Sequence, residues 1–141
     1  MQQAMPPVEM HAQQSGLATA LTHGPSATKI RTVPPKDNGG DASSFSPTDL
    51  VGAALASCAI TTMVLIAKRE NIPLGDPSAR VIKSMTTSGP RRIAELTLHI
   101  DMPPGIDPAH RARLEEIART CPVARSLHAD VAVPITFGYP P

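Results

Sequence analysis

Ser46-Pro47-Thr48-Asp49-Leu50-Val51-Gly52-Ala53-Ala54-Leu55-Ala56-Ser57-Cys58 is the stretch that decides the fold of this chain. Ser46 suits a helix N-cap, Pro47 suits the first helical position, and Asp49 falls at the third, a shorter form of the capping box. The helix opened here is predicted to run to about residue 70 and to stop before Pro73. Residues 51–67 carry no charge. A bilayer span needs about 20 predominantly apolar residues. This run is shorter and includes Gly52, Ser57, Cys58, Thr61 and Thr62, so it reads as a buried core helix. It is apolar nearly all round, and such a helix must be covered on every side. One small sheet covers one side only. Other helices or a second subunit must cover the rest, and an obligate C2 homodimer is expected.

On the N-terminal side, residues 18–22 and 28–33 are short strand candidates separated by Gly24-Pro25. Pro34-Pro35 then leads into the turn-rich Asp37-Asn38-Gly39-Gly40. On the C-terminal side, residues 80–87 alternate roughly and residues 92–101 cleanly. Ala94, Leu96, Leu98 and Ile100 point one way, and Glu95, Thr97 and His99 the other. Ser88-Gly89-Pro90 turns the chain between these strands. Asp107-Pro108 repeats the N-cap-plus-proline signal and opens a helix with Leu114, Ile117 and Ala118 on one face. A short helix from Pro122 to about residue 128 and a strand over 131–137 follow, with Pro134 placing that strand at an edge or a bulge. The expected class is α+β: antiparallel sheets around a long central helix, as one domain over residues 1–141 with an extended segment over 1–27.

Composition narrows the function. A net charge of +1 with 18% charged residues gives no electrostatic case for nucleic acid or an anionic membrane. Phe45, Phe137 and Tyr139 are the only aromatic residues, too few for a platform on which bases stack. The N-terminus, Met1-Gln2-Gln3-Ala4-Met5-Pro6-Pro7, has neither a basic n-region nor an apolar h-region, so no signal peptide is expected. The expected compartment is the cytoplasm. There a cysteine pair is more often catalytic, redox-sensing or metal-binding than a structural disulfide.

The chain has two cysteines. Cys58, flanked by Ala54, Leu55, Thr62 and Leu65, can be read as a small buried hydrophobe. It can also be read as a nucleophile, provided some group stabilises its thiolate. Thr61 and Thr62 can donate hydrogen bonds from one turn away, and a cation must come from outside the helix. Cys121, in Thr120-Cys121-Pro122-Val123, stands at a helix start, facing free N–H groups and the positive end of the dipole. That position lowers thiol pKa values and nominates Cys121 as the more acidic thiol; its plainer reading is a cysteine tucked under a helix–helix corner. A metal site is not expected, because the cysteines are far apart in sequence and His11, His23, His99, His110 and His128 form no i,i+4 pair. A Cys-His-acid hydrolase using His110 or His128 is a distant rival, since nothing positions either ring.

Together, Gly39-Gly40, the Ser46–Cys58 stretch and Cys121-Pro122-Val123 with Ser126-Leu127-His128 resemble the OsmC/Ohr family of cysteine-dependent hydroperoxide reductases. The likeness covers roughly residues 28–138. It implies an intertwined α+β homodimer with active sites at the subunit interface, a peroxidatic Cys58 and a resolving Cys121, the reverse of the assignment from position. It also implies no bound cofactor and an external dithiol reductant of lipoyl type. The substrate class it implies is small organic hydroperoxides. Bulky alkyl peroxides are expected to beat hydrogen peroxide, because an aliphatic pocket contributes about 0.8 kcal/mol per buried CH2. Efficient members carry Glu directly after the helix-start proline, where this chain has Thr48, and the carboxylate comes one residue later at Asp49. Family activity also uses an N-terminal arginine to hold the thiolate, and Arg31 is the only arginine before the main helix. A redox-sensitive protein that binds a small apolar ligand, with little peroxidase activity, is the competing expectation.

Overall fold

The helix-start signal at Ser46 is realised with both of its bonds. In the computed structural model, which describes residues 4–141, the Ser46 N–H donates to Asp49 Oδ2 at 2.8 Å and the Asp49 N–H donates to Ser46 Oγ at 3.1 Å. This is a complete reciprocal capping box, fuller than the shortened form expected. Met1, Gln2 and Gln3, the first residues of the stretch read above as lacking a signal peptide, lie outside the described residues. The chain divides into two compact units, Met1–Leu50 and Val51–Pro141.

The first unit holds a three-stranded antiparallel sheet of β1 (Met10–Ser15), β2 (Ala18–His23) and β3 (Lys29–Thr32) in that order. β2 and β3 are the two strands expected here. β1 falls inside the segment read only as extended; it is exposed along its whole length, and with only Met10 and Ala12 apolar it carries too short an alternation to mark it. Its pairing with β2 rests on a two-residue hairpin whose first residue, Gly16, takes φ +60°, a conformation suited to glycine. Lys36–Asn38 forms a short 3-10 turn within the loop read as turn-rich.

Helix α1 (Pro47–Arg69) begins at the capping box and continues into the second unit. Its end is as well defined as its start. Asn71 adopts φ +56°, its N–H donates to Lys68 O, and Ile72 N–H donates to Ala67 O at 2.8 Å. These are the two bonds of a Schellman motif, with asparagine in the left-handed position. The pair Ala67 and Ile72 is buried, as that motif's hydrophobic contact requires.

The second unit is built on β4 (Ser78–Met85), β5 (Ile93–Asp101), α2 (Pro108–Arg119), α3 (Pro122–Ser126) and β6 (Ile135–Gly138). Its sheet order is β4-β5-β6. The fold class stands as expected, with one refinement: β4 and β5 pair antiparallel, whereas β5 and β6 pair parallel. The final strand is shorter than 131–137. Ala132 makes only an isolated bridge to Glu95, and Pro134, without an N–H to donate, lies just before an edge strand. The clean alternation of β5 is realised, with Leu96, Leu98 and Ile100 wholly buried. They pack with Leu55, Ala59 and Met63 of α1 and with Leu114 and Ile117 of α2. Gly52 faces Leu96 and Val81, where even a Cβ would lie at ordinary van der Waals contact, 3.4 Å from Leu96 Cδ2. Asp107 caps α2 by accepting the Ala109 N–H at 2.9 Å.

By length and composition α1 would suit a membrane span, but its buried residues form one continuous stripe, Gly52, Leu55, Ala59, Met63 and Ala67. That stripe has the i, i+3, i+4 spacing of a core helix. On other sides of the helix, Val64 and Leu65 are exposed in the single chain.

Candidate active site

Cys58 lies at the start of the fourth turn of α1, half-buried, and Cys121 is fully buried at the N-cap of α3. Both are free thiols, and the Cys58 thiol is near enough to Cys121 to disfavour ionisation of the second sulfur. Residues separated by most of the second unit's sequence are thus brought together by two packing events. α1 lies on β5 through Gly52 and Leu55, and α2 lies on the same core through Leu114, Ile117 and Ala118. α2 then ends at Arg119, and the chain turns at Thr120-Cys121 into α3. Thr62 Oγ1 sits 3.7 Å from Cys58 Sγ, one of the two threonines expected to approach it. The i,i+4 spacing on a helix accounts for this contact.

The electrostatics at Cys121 overturn the expectation drawn from its position. Burial pushes the Cys121 thiol above its ordinary value of 9.0. The backbone N–H of Ala124, and more weakly that of Val123, pull the other way, while the adjacent Cys58 sulfur pushes it up further. The cap position is real, but the sulfur makes no full capping hydrogen bond. Two peptide dipoles at a five-residue helix do not offset the desolvation of a wholly buried sulfur. Cys121 therefore holds its proton more firmly than an exposed thiol does.

Arg31 and Asp49 belong to the first unit. Arg31 is exposed on β3; its Nη1 donates to Ser43 Oγ at 3.3 Å, and its charge helps lower the Asp41 carboxyl, whose main support is hydrogen bonding from Ser43. It lines a cleft of about 210 Å3 with Ser15, Leu17, Pro34, Gly40 and Asp41. Asp49 is engaged in the capping box, and Thr48 Oγ1 lies 3.2 Å from Ser46 Oγ. Among the described residues no group of three or more His, Cys, Asp or Glu side chains is arranged to hold a metal ion. His128 Nδ1 accepts the Asp130 N–H at 3.0 Å. An apolar groove of about 260 Å3, lined by Ile60, Thr61, Val64, Leu65, Asp76 and Pro77, opens along α1 beyond Cys58.

One residue near the thiols escaped the sequence reading. Arg125 Nε donates to Thr120 O at 2.8 Å, at the corner that carries Cys121. A basic residue shortly after a helix end is the available signal, because such side chains bond the last carbonyls.

The fold and the paired thiols define a cysteine-bearing α+β protein of a recognisable class. The family model for OsmC-like proteins matches residues 39–136, most of the chain. A protein from Psychrobacter arcticus 273-4, named for osmotic-stress induction and a detoxification response, is 33% identical, with a TM-score of 0.82 over 96% of this chain and 97% of that one. The organic hydroperoxide resistance protein OsmC of Legionella pneumophila is 20% identical, covering 96% and 99% of the two chains with a TM-score of 0.79. The organic hydroperoxide resistance protein OhrB of Bacillus subtilis is 21% identical, covering 95% and 99%, with a TM-score of 0.70. A sequence search of curated proteins finds no match. The chain belongs to the OsmC/Ohr family.

Proposed function

We propose that this protein reduces organic hydroperoxides to alcohols with Cys58 as the peroxidatic thiol and Cys121 as the resolving thiol. The observation that carries the reading is the juxtaposition of a half-buried Cys58 with a buried, proton-holding Cys121. The Cys58 thiolate attacks the outer peroxide oxygen and the O–O bond breaks. The alkoxide leaves as the alcohol after taking a proton, and Cys58 becomes a sulfenic acid. Cys121 sulfur then attacks the Cys58 sulfur; the S–S bond forms, and the sulfenic hydroxyl leaves as water with the Cys121 proton. An external dithiol of lipoyl type returns two electrons, so no bound cofactor takes part. In this reading Arg31 holds the thiolate, and Asp49 orients the start of α1 and stands in for the family's glutamate. A homodimer in the cytoplasm covers the exposed side of α1 and closes an aliphatic substrate pocket.

The test is consumption of tert-butyl or cumene hydroperoxide with a dithiol, together with a non-reducing mass spectrum after one equivalent of peroxide. Disulfide formation within seconds supports the enzyme. No consumption with any dithiol overturns it.

A second reading is favoured by Thr48 and by the engagement of Asp49 in the helix cap. The same fold would then bind a small apolar ligand, with the thiols as a switch. Under that reading, stopped-flow oxidation is no faster than that of a free thiol.

A further inference from the structure

Two consecutive carbonyls at the corner between α2 and α3 are closed by one residue. The Arg125 side chain donates from Nε to Thr120 O at 2.8 Å, and the Arg125 backbone N–H donates to Cys121 O at 3.0 Å. The rest of the corner is bonded as well. Thr120 N–H and Thr120 Oγ1 both donate to Glu116 O, and Ser126 Oγ donates to Pro122 O at 2.8 Å. Thr120 and Cys121 have non-helical backbones, with φ/ψ of −116°/25° and −63°/157°, so no helical ladder fixes the peptide between them. The two bonds from Arg125 hold the successive peptides on either side of Cys121, whose sulfur is close enough to Cys58 for each thiol to feel the other's ionisation. Arg125 is itself exposed and adds nothing to the apolar core.

We propose that Arg125 is a positioning residue that sets the approach of Cys121 to Cys58, and with it the ease of forming the disulfide. The idea rests on the thiol-pair reading of the site, but not on peroxide being the oxidant. A charge-assisted hydrogen bond at a solvated backbone carbonyl has a modest net effect. Its loss lets the Cys121 peptide sample orientations in which the sulfurs no longer meet, which lowers the effective concentration of one thiol at the other.

The experiment equilibrates full-length protein with mixtures of reduced and oxidised glutathione. Two electrons pass from the thiol pair to glutathione disulfide, giving the Cys58–Cys121 disulfide and two glutathione thiols. The ratio of oxidised to reduced protein then reports the effective concentration of the pair. Arg125→Gln is expected to lower it about fivefold, the size of one net hydrogen bond. Arg125→Lys, which keeps a cationic donor, should recover at least half of the loss. Arg113→Gln serves as the comparison, because it removes a surface ion pair with Glu70 and should leave the value unchanged. Equal effective concentrations in wild type and Arg125→Gln would overturn the proposal. So would an equal fall in Arg113→Gln, which would mark general loosening. Peroxide consumption by the wild type is scored separately, so failure of the enzymatic reading leaves this measurement intact.

Discussion

Ser46 and Asp49 bond each other twice across the first turn of α1, at 2.8 Å and 3.1 Å, so a carboxylate expected at the site is also a helix cap. The two duties separate by substitution. Ser46→Ala and Asp49→Ala should each cost about 1 kcal/mol of stability, as loss of one half of a cap does. Denaturant melts measure this. A fall in the rate of Cys58 oxidation by cumene hydroperoxide is expected for Asp49→Ala beyond that of Ser46→Ala. Equal rates in the two variants would limit Asp49 to capping.

Thr48 occupies the position at which efficient family members carry glutamate. Thr48→Glu adds a carboxylate in the first turn of α1, where the helix dipole favours negative charge, so the fold should tolerate it. The expected result is a rise of about tenfold in the second-order rate with an alkyl hydroperoxide, equal to roughly 1.4 kcal/mol of barrier. Stopped-flow measurement with wild-type protein alongside decides it; an unchanged rate would favour the ligand-binding reading.

Cys121 gives a pH prediction of definite sign. Its folded pKa is raised by burial, so above its ordinary value of 9.0 the unfolded chain releases a proton that the native state keeps. Stability is therefore unaffected by this group at neutral pH and falls as pH rises past about 9. Urea melts from pH 7 to 10 should show the decline, and Cys121→Ala should show a shallower one. If the two slopes coincide, the Cys121 proton is not held by the fold.

The parts of the fold that were legible in the sequence are those with a strong local code. The capping signal at Ser46 and the alternation of Leu96, Leu98 and Ile100 mark α1 and β5 nearly to the residue, and Asp107 marks the start of α2. β1 was not recognised because Met10 to Ser15 is exposed and becomes a strand only through pairing with β2. The final strand was legible but its parallel pairing with β5 was not, since strand direction follows from the path of α2 and α3 rather than from residues 135–138. At the site, the two cysteines and Thr62 were legible from motif and spacing. The proton affinity of Cys121 was not, because a sequence shows the helix start but not the core that desolvates the sulfur.

The last prediction separates two leucines on α1 that the sequence treats alike. Leu55 is wholly buried against β5, whereas Leu65 is 49% exposed in the single chain and lines the apolar groove. An aspartate at Leu55 places an unpaired charge in the core, whose cost exceeds that of the cavity alone, and even Leu55→Ala should cost about 2–5 kcal/mol. Leu55→Asp should therefore abolish folded protein. Leu65→Asp leaves the core of the second unit intact and puts a charge only on the face assigned to the partner subunit. If the dimer is obligate, as proposed, Leu65→Asp also removes folded protein, and it does so in proportion to the loss of dimer as concentration falls. Light scattering and thermal melting across a dilution series read both quantities. A Leu65→Asp protein that melts like the wild type as a monomer would show that this face of α1 does not depend on a second copy.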